Sequence, residues 1–344
     1  MSPTHPHHLP DYDPPVMGDD LELDSVAAII LAKDSDGEML GDALRETYDQ
    51  LYDGQRTGRW NPDQLHKTEK THMGTLVEIN VHRAFEFDDG KEMDYRVGGI
   101  EVDCKFSARL GGWMLPREAY RHNHLCLVIW ANEEHNRWEA GLVRATPRST
   151  GLDPAADDDL LGAENQDRKR PLTPAGESRI RWLHPSPTLP ENLLMHIPAE
   201  TRERILSAAP ANRRKPTGQA KINMLFRLVQ HRLVNRGSVV TVAQQKDSPK
   251  RARDARKRKH LGKDGILVLG HQEHDPLVAE ALGLPVPTKG DFVSARVVPA
   301  EPGFAGDAAD IEGMRWRLAL DEDPVVPAPL MPRVSRRGDD EDDD

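Results

Sequence analysis

A Gly-Gly pair at positions 98 and 99 stands between two alternating runs, Met93-Asp-Tyr-Arg-Val97 and Ile100-Glu-Val-Asp-Cys-Lys-Phe106. Such a pair predicts a two-residue β-hairpin turn, because residues free to adopt positive φ give the turn a twist that matches the strands. Val97 then pairs with Ile100, and counting outward sets Asp94 opposite Asp103. Alternation places Met93, Tyr95, Val97, Ile100, Val102, Cys104 and Phe106 on one face, and Asp94, Arg96, Glu101, Asp103 and Lys105 on the other. The first set suits a core, while the second concentrates charge.

Two carboxylates facing each other across a strand pair, with Cβ atoms roughly 5 Å apart, repel unless positive charge lies between them. Magnesium accepts one or two protein carboxylates and keeps positions for water and phosphate oxygens. Lys105, about 7 Å along the same strand face, can reach the same phosphate or an attacking water. The pattern therefore outlines a site for phosphodiester hydrolysis with Mg²⁺. The bland alternative is the solvated polar face of an antiparallel sheet. Upstream, Thr71 to Phe85 reads as a helix in which Met73, Leu76, Val77 and Ala84 form the apolar stripe. Glu78 lies off that stripe, either as a third metal carboxylate or as an ordinary exposed glutamate.

At 344 residues, with 37% hydrophobic and 30% charged residues, the chain suits two globular domains. It shows no signal-peptide pattern and no apolar run of membrane-spanning length, so a cytoplasmic protein with no membrane partner is expected. Cys104 and Cys126 sit inside apolar strand patterns and are expected to be reduced core thiols. No Gly-x-x-x-x-Gly-Lys-Ser/Thr loop is present, so ATP is not implied. The net charge of -11 hides a strong polarity: residues 201 to 263 hold 18 Lys or Arg against 3 Asp or Glu. That stretch carries +15 and leaves -26 on the rest, which points to a local surface for a polyanion.

Residues 1–20, rich in Pro, His and Asp, and the acidic residues 336–344 are expected to be disordered tails, and Asp153 to Asp159 an acidic loop. Residues 21–182 read as an α/β (α+β) domain, a mixed sheet flanked by helices. Its expected elements are a helix over Leu40 to Leu51, the Glu78 helix, the hairpin, a buried strand Leu125 to Trp130 and its neighbour Trp138 to Arg144. Residues 183–191, with three prolines, read as a linker to a mainly helical domain over 192–335. There a helix from Thr217 carries the stripe Ile222, Leu225, Phe226, Val229 and Leu233. After a turn at Asn235-Arg-Gly, a short helix from Thr241 precedes a basic helix over Lys250 to Lys259, with Ser248 as cap and Pro249 in first position. Two short helices joined by a tight turn predict a helix-turn-helix that contacts nucleic acid through Lys250, Arg251, Arg253, Arg256, Lys257 and Arg258. Ile266-Leu-Val-Leu is a candidate wing strand. The alternative is a basic helix that touches phosphates only.

Longer motifs then narrow the field. Leu51-Tyr-Asp-Gly-Gln-Arg-Thr-Gly-Arg-Trp-Asn61, the stretch Asp63 to Asn80, Val102-Asp-Cys-Lys-Phe-Ser107, Glu191-Asn-Leu-Leu194, Thr241-Val-Ala-Gln-Gln245 and Leu282-Gly-Leu-Pro-Val-Pro287 resemble the NaeI family of type II restriction endonucleases. The resemblance runs from about residue 43 to about residue 335 and omits the N-terminal extension, the acidic insertion and the acidic tail. It implies an N-terminal nuclease domain of the PD-(D/E)xK type with catalytic Glu78, Asp94, Asp103 and Lys105, and Mg²⁺ held by the three carboxylates. Met93 stands where the broad superfamily has a proline. It also implies a homodimer, a winged-helix-like DNA-binding domain that takes a second duplex as allosteric effector, and GCCGGC as the default site in a restriction-modification system. The rival readings are a DNA-binding regulator without hydrolytic activity and a structure-specific nuclease on the same scaffold.

Overall fold

The computed structural model describes residues 20–146, 160–184 and 187–331. The expected tail over residues 1–19, the acidic loop at Asp153 to Asp159 and the acidic C-terminus lie outside the described residues. The chain divides into two compact units, one comprising residues 1–51 and 65–191, the other residues 52–64 and 192–344.

The first unit opens with α1 (Leu21–Lys33) and α2 (Glu38–Tyr52), followed by α3 (Lys67–Phe85). Asp20, at the edge of the expected tail, is instead the N-cap of α1 and pairs with Arg144. Its sheet is mixed and runs in chain order: β1 (Asp88–Asp89), β2 (Tyr95–Val97), β3 (Ile100–Ser107), β4 (Leu125–Asn132), β5 (Arg137–Arg144) and β6 (Arg181–Trp182). Only the β3/β4 pair is parallel, with Asp103 beside Cys126. Leu125 to Ile129 are all buried, as a continuous apolar run predicts for a strand covered on both faces. Helix α3 packs on β3 and α1 on β5, so the expected mixed sheet with flanking helices is present.

Helix α3 buries Met73, Val77, Asn80, Val81 and Phe85, while Leu76 and Ala84 are only half-buried. On both sides of residues 185 and 186, which lie outside the described residues, the stretch expected to be a linker packs within the first unit. Leu183 and Leu189 are buried, and Thr188 bridges to Arg137 and accepts the Trp138 indole N–H at 3.3 Å.

The second unit places α4 (Ala199–Leu206), α5 (Gly218–Leu228), α6 (Arg236–Ala243) and α7 (Ser248–Ala255) around one apolar cluster containing Ile222, Leu225, Phe226, Val242 and Ala252. A four-stranded antiparallel sheet follows, with Ile266–Leu269 as one edge strand. The one-turn helix Gly54–Thr57 packs against α6, so closely that a Cβ on Gly54 would lie 1.9 Å from Thr241 Oγ1.

Several local expectations in this unit need correction. Leu233 is 38% exposed and lies beyond α5, which stops before Val229. Asn235-Arg-Gly is no turn: the Asn235 side chain caps α6 by accepting from Ser238 N–H, so the helix begins five residues before Thr241. Asp247, not Ser248, occupies the cap position of α7, and that helix ends at Ala255 instead of reaching Lys259.

His184 gives the first unit a titratable core group. Its side chain is 2% exposed, packs edge-on to Trp138 and makes no hydrogen bond among the described residues, with Asp34 3.9 Å away. Burial pushes its pKa down against the opposing pull of Asp34 and Asp36. The unfolded chain therefore binds the extra proton as pH falls below about 6.5. Stability from this group is present above that value and is lost toward the depressed folded pKa. Urea unfolding across this range should show the decline, and His184→Gln should flatten it; an unchanged profile would exclude His184 as its source.

Candidate active site

The hairpin has the register that its sequence demands. Gly98 and Gly99 take φ of 59° and 88°, Val97 pairs with Ile100, and Tyr95 pairs with Val102. Asp94 is the next residue beyond the paired strand, level with Asp103. Met93 leaves the alternation and joins the apolar cluster of Trp113, Leu115, Cys126 and Val128.

These positions bring three of the four expected catalytic side chains into contact. Lys105 Nζ lies 2.8 Å from Asp103 Oδ1 and 3.5 Å from Asp94 Oδ2, and donates to the Cys104 carbonyl at 2.8 Å. Asp94 Oδ2 also accepts the Cys104 backbone N–H at 2.7 Å. The Asp103 side chain is only 6% exposed, and its other oxygen faces the Cys126 thiol at 3.8 Å. Both cysteines are free and buried, and burial pushes the Cys104 thiol up to about 12.

The electrostatics describe a site with too much negative charge for one lysine. Burial is the main cause that lifts Asp103 to about 7; the Lys105 ammonium opposes it, while Asp94 adds to it. For Lys105, burial favours the neutral amine, but Asp103 and Asp94 outweigh burial and raise its pKa. Glu78 projects from α3, half-buried. Burial raises its pKa first and Asp94 second, against Lys105 and His82. Glu78 thus lies within electrostatic reach of the pair.

Among the described residues, no three His, Cys, Asp or Glu side chains converge into a ready-made metal cage. Magnesium does not require one, since it binds through one or two carboxylates and keeps waters and phosphate oxygens as its other ligands. The donors present fit that requirement. Asp94 and Asp103 offer hard carboxylate oxygens beside Lys105, and Asp103 keeps a raised proton affinity even with Lys105 beside it.

Two residues that the sequence reading did not single out set the geometry. Glu101 accepts backbone N–H groups from Lys91, Glu92 and Met93 at 3.0–3.1 Å, which closes the loop that delivers Asp94. These bonds outweigh the effect of burial and hold Glu101 below the ordinary carboxylate range. A Cβ on Gly90 would lie 2.0 Å from the Met93 carbonyl oxygen, so the loop also depends on that glycine. Tyr95 donates its hydroxyl to the Glu78 backbone carbonyl at 2.7 Å, tying α3 to the hairpin one residue from Asp94. The alternation that put Glu101 on the polar face was the available signal, but its three partners belong to an irregular loop.

In the second unit the six basic residues divide. Arg256 pairs with buried Asp275 at 2.8 Å, Arg251 donates to Gln245 at 3.0 Å, and Lys257 lies 3.5 Å from Asp254. Lys250, Arg253 and Arg258 are exposed and form no ion pair among the described residues. Half of the run is therefore engaged within the unit, and half is exposed.

Comparisons with known proteins give the chain a family. The family model described as Restriction endonuclease NaeI matches residues 24–327. A curated protein of Lentzea aerocolonigenes, "Type II restriction enzyme NaeI", is 51% identical over 318 residues, covering 92% of this chain and 96% of the relative.

Removing the carboxylate that closes the Asp94 loop should be measurable in the fold itself. Glu101→Ala strands three N–H donors and should cost about 1 kcal/mol, scaled down from a buried charge-assisted case because the group is partly solvated. Glu101→Gln, which retains an acceptor oxygen, should lose less. Equal losses in urea titrations of both variants would show that the loop does not depend on these bonds.

Proposed function

The chain belongs to the NaeI restriction endonuclease family and is a type II site-specific deoxyribonuclease, and we propose that it cuts double-stranded DNA at Asp94, Asp103, Lys105 and Glu78. The observation that carries this assignment is the ammonium of Lys105 set between Asp103 and Asp94 at 2.8 and 3.5 Å.

Asp94 and Asp103 would hold Mg²⁺, with Glu78 assisting from α3. When bound, the ion neutralises charge on the scissile phosphate and acidifies a ligated water. Asp103 presents an oxygen from a buried, rigid strand position, and the Cys104 N–H fixes the orientation of Asp94. Lys105 keeps its proton in this arrangement, so it acts as a donor that orients the water and offsets charge on the attacked phosphate. Tyr95 holds the turn of α3 that carries Glu78.

The chain acts as a homodimer in this reading, since two-fold symmetry matches a palindrome and lets both strands be cut. The default palindrome is GCCGGC. Helices α6 and α7 act as the helix-turn-helix, with Ile266–Leu269 as the wing, and hold a second duplex that activates cleavage. Lys250, Arg253 and Arg258 are the phosphate contacts best supported by exposure, while Arg251, Arg256 and Lys257 orient α7 from within the unit.

With Mg²⁺ and a plasmid bearing several GCCGGC sites, the wild-type protein should give discrete fragments. Asp103→Ala and Lys105→Ala should each slow cutting by about 10²–10³-fold or more. Ca²⁺ in place of Mg²⁺ should allow binding without cleavage, and a short GCCGGC duplex added in trans should accelerate cutting. Fragments from Asp103→Ala at the wild-type rate would refute the site, and indifference to the added duplex would refute the two-site coupling.

A further inference from the structure

Within α3, the helix that carries Glu78, lies a glycine that the fold does not explain. Gly74 is in the helix interior, where glycine is the least favourable residue apart from proline. A Cβ built there meets, beyond its chain neighbours and its own helix backbone, no atom of the described residues within 4 Å, so no close approach among them calls for its absence. Its φ is not in the left-handed region, so backbone conformation does not require glycine either.

The surroundings of Gly74 are cationic. At 100° per residue, Lys67, Lys70 and Glu78 lie within about 40° of Gly74 around the helix axis, and Thr71 is close by. Lys67, Lys70 and Thr71 are exposed, and neither lysine forms an ion pair among the described residues. Glu69, the acid of this turn, points back to cap the helix start at His66 N–H. The result is a strip with two free ammonium groups, then a gap lacking any side chain, then a catalytic carboxylate.

We propose that this strip, Lys67–Lys70–Gly74, is where the phosphate backbone of the substrate duplex runs against α3, one helical turn ahead of Glu78. The missing Cβ lets the sugar-phosphate chain approach the helix backbone closely, and the lysines neutralise the phosphates before the scissile one. The proposal rests on the nuclease reading above and extends it, because it says where the strand lies outside the four catalytic side chains. Charge selects DNA over a second copy of the chain as the occupant, since two unpaired lysines face outward and copies meeting through this face would oppose like charges.

The test is Gly74→Ala in the full chain, with wild type and Lys70→Ala alongside. Thermal melting, anisotropy with a fluorescent GCCGGC duplex in Ca²⁺, plasmid cleavage in Mg²⁺ and sedimentation are measured for each. Alanine should raise the melting midpoint by about 2–4 °C, because it is the better helix former. Binding should weaken, and cleavage should fall by as much as ~10²-fold through misplacement of the strand. Lys70→Ala should lower the salt-dependence slope of binding by about 1. A Gly74→Ala protein that melts higher yet binds and cuts like wild type overturns the proposal, as does one that melts lower or changes its sedimentation. If the wild type neither binds nor cuts duplex DNA, the nuclease reading itself fails, and this inference fails with it.

Discussion

The site depends on one carboxylate kept where water cannot stabilise it. Asp103 lies in the middle strands of a mixed sheet, flanked by Cys126 on the parallel neighbour and by Asp94 across the hairpin. A buried, crowded carboxylate is unfavourable unless a cation joins it. Lys105 supplies one charge from two residues along the same strand, which is less than two carboxylates and nearby Glu78 require. The remaining demand for positive charge is why the proposed reading puts a metal ion here rather than a finished salt bridge.

Around that centre, much of the structure serves as scaffolding. Gly98 and Gly99 set the register, Glu101 ties the preceding loop through three backbone bonds, and Tyr95 fastens α3. Each fixes backbone and touches none of the four proposed catalytic side chains directly. Precision in the site therefore comes from hydrogen bonds that fix chain path. The four residues of the proposed site lie where this path puts them.

The hairpin was legible because its information is local: two glycines and a period of two determine every pairing out to Asp94 and Asp103. The buried strand Leu125 to Ile129 was legible for a similar reason. What escaped was set by distant partners or by irregular backbone. Nothing near Arg256 in sequence announces its pairing with Asp275, and the end of the basic helix at Ala255 reflects turns that follow it and no composition signal. Leu233 fitted the helical stripe by spacing alone, yet the chain had already left the helix at Val229. Glu101 stood on the correct face, but its role depends on a loop whose path only the folded chain reveals.

The segment at residues 52–64 gives the molecule an interrupted order of assembly. It belongs to the second unit: Gly54–Thr57 packs on α6, the Trp60 carbonyl accepts from Asn192 at 2.8 Å, and Arg202 stacks over the Trp60 ring at 4.0 Å. Residues 65–191 are thus spliced, in chain order, into the interior of the other unit. During synthesis Trp60 emerges well over a hundred residues before Asn192 and Arg202, so these partners do not yet exist when it is made. Completing the second unit means closing that long loop, which slows folding in the way that distant contacts do. A fragment beginning at Asn192 would lack this piece of its own core. The two units cannot be separated by a single cut of the chain.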